Sequence, residues 1–587
     1  MMKTRYNIKA ICAILLLGVS ITLPAQEEDQ TNRDLNREMT LEKEYDPSIR
    51  DANKVNTLPA VKEPEVKKMP IDYATFAVPV DPQKEITLLP SGNILTDVAY
   101  NKRRGYFNAA GGTYLNLNGD AGYHILDTEK DQLNIFFSHR STNGTVKYNH
   151  TYYYIDAEKV KAKLNDNLVG IRFRHLFKKA DFKLGTHYGY SSFNYYGMPI
   201  FIPSSSYAIP SLDFSTNQVN QTLQAFTGIS SKEGAKVGYL LDLDYTNFSR
   251  KYALTKADEG ITEHTLGAKL GLSSAFKGNQ RVGIDGKFAY LTYTIPRPAS
   301  GDPMADYDNR LEGTITPYYR VEGENWHIQL GANVLFYTGD SSKLFVSPNV
   351  EADVTVGAKT VLYAKAGGEL TSNSAYALSR ENRYVNPVAQ VLPSRVWLDA
   401  VVGLKSGIAP GFWFNLFAGC KLTDDDHFFL PPSTYSPSDF KNAIDVLQLN
   451  ATLIRGGLEM TYAYQWIEVT LKGVYNNWSI RKNKSLNLTS DLLKAQGRPK
   501  MEITTGVLVK PVDKVSVNLD YYLAGGREVY LYKMKNIHEL NLTGSYRFND
   551  TFGAYLKLNN LLFQKYEVLY GYPLQGFNVM AGININF

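Results

Sequence analysis

The sequence predicts an all-β fold, a transmembrane antiparallel β-barrel of the outer-membrane type with an even number of strands, about 20–22. Three observations predict it. Many short runs alternate apolar and polar side chains, the connections between them alternate short and long, and the chain closes on an alternating run that stops at Phe587. Period-2 alternation marks an extended strand whose two faces meet different surroundings. In a barrel wall those surroundings are lipid and lumen.

The first element is a secretory leader. Lys3, Arg5 and Lys9 precede the apolar run "AICAILLLGVSITL", and Pro24 and Ala25 follow it, which places cleavage before Gln26. The run is shorter than the roughly 20 residues of a spanning helix. With the leader (1–25) removed, Cys420 is the remaining cysteine and reads as a residue packed on a strand face, not as part of a disulfide scaffold.

Residues 26 to 104 are charged, proline-bearing and without a sustained period of either kind, as in "EYDPSIRDANKVNTLPAVKEPEVKKMP". Such composition reads as an extended, partly disordered periplasmic segment. Its pieces "MTLEKEYDP" and "IDYATFAVPV" carry Met39, Leu41, Tyr45, Ile71, Tyr73 and Phe76, apolar residues available for short docking contacts.

From 105 to 587 the text becomes strands. Leu458, Met460, Tyr462 and Tyr464 alternate up to a turn at Gln465 and Trp466, and Ile467, Val469, Leu471 and Gly473 resume after it. Val515, Val517, Leu519, Tyr521 and Leu523 form another such run, and Leu540 to Phe548 with Phe552 to Leu558 make a hairpin around "NDT". Short turns ("FKKADF", "SKEGAK", "FKGNQR", "VEGENW", "VGAKT", "KPVDKV", "FNDTF") alternate with long segments around 193–217, 295–307, 372–394, 424–448 and 477–498. Turns on the periplasmic side and loops outside are how outer-membrane barrels are built. The 41 Tyr, 27 Phe and 45 Gly suit aromatic girdles and close strand packing.

The end of the chain, "GYPLQGFNVMAGININF", sets Phe577, Val579, Ala581, Ile583 and Ile585 on one face and Asn578, Met580, Gly582, Asn584 and Asn586 on the other. It reads as the last strand, with Phe587 the terminus that closes the barrel and that barrel-assembly machinery reads. The block 555–587, with its Asn-Asn-Leu turn, Lys-Tyr pair and Gly-Tyr-Pro stretch, resembles the end of TonB-dependent receptor barrels. That resemblance implies outer-membrane transport. Receptors of that family carry an N-terminal plug domain, and residues 26–104 are too short and too poor in apolar residues to fold as one, so the chain reads as a barrel without a plug. "EMTLEKEY" (38–45) reads either as a strand-adding segment of the TonB-box type or as a solvated tether.

No catalytic constellation and no cofactor motif is found: His-Glu-x-x-His, Gly-x-Ser-x-Gly and phosphate-cradling glycine loops are missing. The chain therefore reads as a non-enzyme. The net charge of +5 gives no nucleic-acid argument. One metal candidate exists, Asp424, Asp425, Asp426 and His427 in a long loop. Oxygen-rich loops hold calcium, yet this run lacks the spaced ligands and glycine of a binding loop and serves equally as a solvated acidic turn. Aromatics gather in three long loops: Tyr195, Tyr196, Phe201 and Tyr207; Tyr376 and Tyr384; Phe428, Phe429 and Tyr435. They are candidates for stacking on a ligand or partner, or for packing on one another as a lid over the lumen.

The expected location is the outer membrane of a Gram-negative-type envelope, with lipid around the wall. Two functions follow: a receptor-like transporter or channel for an unidentified solute, or a structural subunit of an envelope complex whose occluded barrel docks lipoproteins or other partners.

Overall fold

The computed structural model describes residues 103–149, 159–198, 217–232, 234–253, 259–294, 308–339, 342–357, 359–432, 442–481 and 492–587. The leader and all of segment 26–104 but Arg103 and Arg104 lie outside the described residues.

Twenty-two antiparallel strands form one closed sheet. The first are β1 (Gly105–Gly112), β2 (Asn116–Asp127), β3 (Asp131–Lys147), β4 (Lys159–Leu176), β5 (Ala180–Asn194), β6 (Asn217–Ser231) and β7 (Val237–Arg250). Next come β8 (Thr262–Lys277), β9 (Gln280–Thr294), β10 (Arg310–Glu322), β11 (Trp326–Tyr337), β12 (Lys343–Val356) and β13 (Thr360–Thr371). The wall continues through β14 (Ser394–Ala409), β15 (Phe412–Phe429), β16 (Val446–Tyr464), β17 (Ile467–Arg481), β18 (Met501–Val512) and β19 (Val515–Gly525). Two small hairpins stand apart from it: β20 (Glu528–Val529) with β21 (Tyr532–Lys533), and β24 (Glu567–Leu569) with β25 (Tyr572–Pro573). Between and after them β22 (Ile537–Arg547), β23 (Phe552–Asn559) and β26 (Asn578–Asn586) complete the wall, and helix α1 (Ala375–Glu381) sits in the connection between β13 and β14.

Closure comes from β1 pairing with β26, from Tyr106 opposite Asn586 to Gly112 opposite Met580. Gly105 N–H donates to the Phe587 carbonyl at 2.7 Å and Phe587 N–H donates back at 2.9 Å, so the last residue is tied into the first strand. The Phe587 ring stacks on Tyr123.

The alternation sorts residues across the wall. On β7, Tyr239, Leu241, Leu243 and Tyr245 point outward and are 37–40% exposed, while Asp242 and Asp244 between them face the lumen. An apolar band left uncovered by protein is stable only against lipid. Strands such as β3 (17 residues), β15 (18) and β16 (19) are longer than the roughly 9–11 residues that cross a bilayer, so they rise above the membrane as a collar on the long-loop rim.

That collar corrects one expectation. Asp424 to Phe429 do not lie in a loop: β15 runs through them to Phe429, and a bulge between Thr423 and Asp426 absorbs the acidic run. Asp425 takes the left-handed conformation (φ 55°), and its N–H donates to Asn450 Oδ1 at 3.0 Å.

Candidate functional site

The polypeptide on the long-loop rim folds inward. After β5 the chain leaves the wall at Tyr195, and Tyr195, Tyr196 and Met198 are almost fully buried. They meet the segment 372–393, which is rooted between β13 and β14, far around the ring from β5. Tyr195 O–H donates to the Val385 carbonyl at 3.1 Å, and its ring packs edge-on against Tyr384. Tyr384 in turn stacks on Tyr572 with centroids 4.1 Å apart, and both lie edge-on to Tyr196. Val146, Val160, Leu378, Val385, Phe429 and Ile444 complete this apolar knot. Four separate connections therefore share one core, which spans the lumen because their roots lie on different sides of the ring.

Backbone bonds stitch the same segments. Asn386 N–H donates to the Ile444 carbonyl and Ile444 N–H to the Tyr384 carbonyl, each at 2.8 Å, around a parallel bridge between Val385 and Ile444. Met198 N–H donates to the Gly571 carbonyl at 2.9 Å. Gly571 has φ 82°, and a Cβ there would lie 2.1 Å from Met198 O, so this crossing requires glycine. The Tyr572 hydroxyl donates to the Asn442 carbonyl, and Asn442 Nδ2 donates to the Gly197 carbonyl at 2.9 Å.

Charged groups bolt the 372–393 segment to the wall. Ser374 caps α1, accepting from Ala377 N–H at 3.1 Å. Arg250, at the end of β7 and 5% exposed, donates to the carbonyls of Pro387 (2.6 Å), Asn386 (3.2 Å) and Ala375 (3.3 Å) and to Ser379 Oγ. Arg383 reaches down the lumen to Asp166 on β4 in a fork with contacts of 3.1 Å. Glu381 accepts from His427 Nε2 at 2.6 Å and lies 3.5 Å from Arg498. A guanidinium fork on a carboxylate fixes direction as well as charge, so the Arg383–Asp166 pair orients the segment against β4.

Burial shapes the acidities. It pushes the Tyr195 hydroxyl up to about 12 and raises Tyr384 and Tyr572, still further above the neutral range in which tyrosine is uncharged anyway. In the β24–β25 hairpin, burial pushes the Glu567 carboxyl up to about 7, against the opposing pull of the Gly571 N–H bond and of Arg527. Burial also lowers Arg527 to about 10; this side chain donates to the carbonyls of Val568 (3.0 Å) and Lys535 (2.8 Å).

This closed wall matches solved structures at low identity. No family model matches the chain, and no curated protein matches it in sequence. The FrpB iron transporter of Neisseria meningitidis is similar over 83% of each chain, with a TM-score of 0.63 at 10% identity. The ferric-catecholate import receptor Fiu of Escherichia coli K12 matches 83% of this chain and 82% of its own, with a TM-score of 0.59 at 12% identity. The ferripyoverdine receptor of the outer membrane of Pseudomonas aeruginosa matches over 83% and 72%, with a TM-score of 0.56 at 12% identity. The fold is that of an outer-membrane receptor barrel.

Within this receptor-type barrel the aromatic candidates divide. Tyr195, Tyr196 and Tyr384 are brought together in the knot, with Phe429 beside them. Tyr376 lies on α1 against Phe248, and Phe428, one residue before the end of β15, packs against Leu449 and Trp478. Phe201, Tyr207 and Tyr435 lie outside the described residues. The acidic run does not converge. Asp424 accepts from Trp397 Nε1 at 2.8 Å and from Arg481 at 3.4 Å, Asp425 pairs with Arg395 at 2.8 Å, and Asp426 stands opposite Leu449 in the ladder. His427 turns instead to Glu381, and among the described residues no group of three or more His, Cys, Asp or Glu gathers as a ligand set. Arg250, Arg383, Asp166, Glu381 and Tyr572, which hold the knot and the 372–393 segment in place, are positions that the sequence reading did not single out. A hint was available for Arg250, a cation ending an alternating strand, but nothing local marks its partners.

Proposed function

We propose that the chain is an outer-membrane transporter of the receptor type, closed at rest by its own loops, in which solute passes when the 372–393 segment leaves the lumen. One observation carries this reading: the segment crosses the lumen of a 22-stranded barrel and is bolted to the far wall by the Arg383–Asp166 fork. A barrel of this strand number encloses a lumen too wide to stay empty without leaking, so what fills its mouth decides passage. The fold neighbours are named as an iron transporter and as receptors for ferric-catecholate import and ferripyoverdine, which supports transport over docking or catalysis. The bolts are hydrogen bonds and ion pairs rather than a covalent or continuous apolar joint, which suits a seal that opens. The machinery that would move it is of the TonB type, engaged through the segment 38–45, and the long-loop rim faces outward.

Liposome swelling tests the reading. Vesicles bearing the intact protein should swell slowly in small sugars, and Asp166→Asn, which leaves the Arg383 charge unpaired, should speed swelling severalfold. Equal rates for both, or an intact protein that co-purifies in fixed ratio with other envelope proteins and never conducts, would support the structural-subunit reading instead.

A further inference from the structure

A cavity of about 190 Å³ lies between the wall strands β2 to β4, the closing strands and the stretch from Pro573 to Gln575, with Tyr196 and Tyr384 of the knot among its lining. Its chemistry is specific. Arg140, on the lumen face of β3, lines it with a guanidinium that makes no ion pair or side-chain hydrogen bond among the described residues. Lys557 lies within electrostatic reach of Arg140, and the carboxylate near Lys557 is Asp120, which already accepts from Ser138 O–H at 2.6 Å. The carboxylate directly opposite Arg140 in the β3–β4 ladder, Asp166, is already held by the Arg383 fork. The other acid lining the cavity, Glu539, has its oxygens engaged by Asn541 Nδ2 (2.9 Å) and Tyr566 O–H (2.8 Å).

Two asparagines of the same lining, Asn118 and Asn559, each leave one side-chain group unused. Asn118 uses only its NH₂, on Met580 sulfur at 4.0 Å, and Asn559 uses only its NH₂, on Asn578 Oδ1 at 2.7 Å. The Oδ1 atoms of Asn118 and Asn559 accept nothing among the described residues. A free guanidinium matches a carboxylate bidentately, free amide oxygens accept from hydroxyls, and tyrosine faces cover the apolar side of a small ring.

We propose that this cavity binds a small hydroxylated carboxylate, with the carboxylate on Arg140, hydroxyls on Asn118 and Asn559, and the carbon skeleton against Tyr196 or Tyr384. The meaning of the site as a station on the solute's path rests on the transporter reading, but the binding itself does not. A closed barrel that never conducts would overturn that reading and leave the site intact, and an empty cavity in a conducting barrel would do the reverse.

Calorimetric titration of the detergent-folded full chain tests it, with glucuronate, glucose and acetate as probes. Glucuronate should bind saturably, with glucose (no carboxylate) and acetate (no hydroxyls) at least about tenfold weaker, the scale of one lost charge-assisted bond. Arg140→Gln should weaken glucuronate by a similar factor while keeping heat-modifiable migration. Asn118→Leu should weaken glucuronate and leave acetate unchanged, an independent arm should the first variant not fold. Lack of saturable glucuronate binding by the intact protein, or equal affinity in both variants, overturns the proposal.

Discussion

Arg250 makes four hydrogen bonds to the 372–393 segment. It is nearly buried and bonds to three carbonyls and a hydroxyl of the 372–393 segment. Arg250→Ala would strand those buried acceptors at about 1–3 kcal/mol each. The expected outcome is a segment that detaches while the wall stays folded, checked by faster proteolysis within 372–393 with unchanged heat-modifiable migration. Glu567 supplies a pH dependence whose sign follows from its raised acidity. Held to about 7 in the folded hairpin against an ordinary value of 4.5, the native state keeps a proton that the unfolded chain has released between those values. Hairpin stability is therefore greatest below about pH 4.5, falls as pH rises through that window, and levels above 7, with a total on the order of 3 kcal/mol. A nitroxide at the exposed position Lys565→Cys should grow more mobile from pH 5 to pH 8, and Glu567→Gln should flatten the change. Immobility unchanged across that range in the parent would contradict the assignment.

At the scale of elements, the strands were legible and the seal was not. The turn at Gln465 and Trp466 and the hairpin around "NDT" stand where alternation puts them, because two unlike faces force period 2 and a short turn leaves one register. The run Asp424 to His427 misled because consecutive acids look like a solvated turn, whereas a collar strand that has risen above lipid can carry charge on both faces and absorb the excess in a bulge. The knot is illegible for a different reason. Tyr195 and Val385 are 190 residues apart and Arg383 and Asp166 are 217 apart, and no local period encodes such a meeting. Gly197 marks one of these crossings: a Cβ there would lie 2.1 Å from the Tyr572 ring. Gly197→Ala should displace that ring and weaken the knot by about 1–3 kcal/mol, read as increased hydrogen exchange at 195–198 and 571–573 with β5 unchanged. Cysteines at Val385 and Ile444, which face each other in the parallel bridge, should cross-link on oxidation and hold the seal shut.

For the molecule as a whole, two closures are at issue. The wall closes through the hydrogen-bonded ladder of β1 and β26, which leaves no edge exposed to lipid. On the proposed reading the lumen closes through side chains of separate connections, which are costly to order and therefore able to come apart. These two closures differ in kind: one is a backbone ladder, and the other is a knot held by side-chain hydrogen bonds and ion pairs. Separating them experimentally tests the central claim most directly. Single-channel conductance in planar bilayers should be compared between the intact protein and a variant in which residues 374–390 are replaced by a short Gly-Ser linker. The intact barrel should show brief, rare openings, and the excised barrel a large, steady current with the same heat-modifiable migration. A steady large current through the intact protein, or a folded excised barrel that stays shut, would contradict closure by this segment.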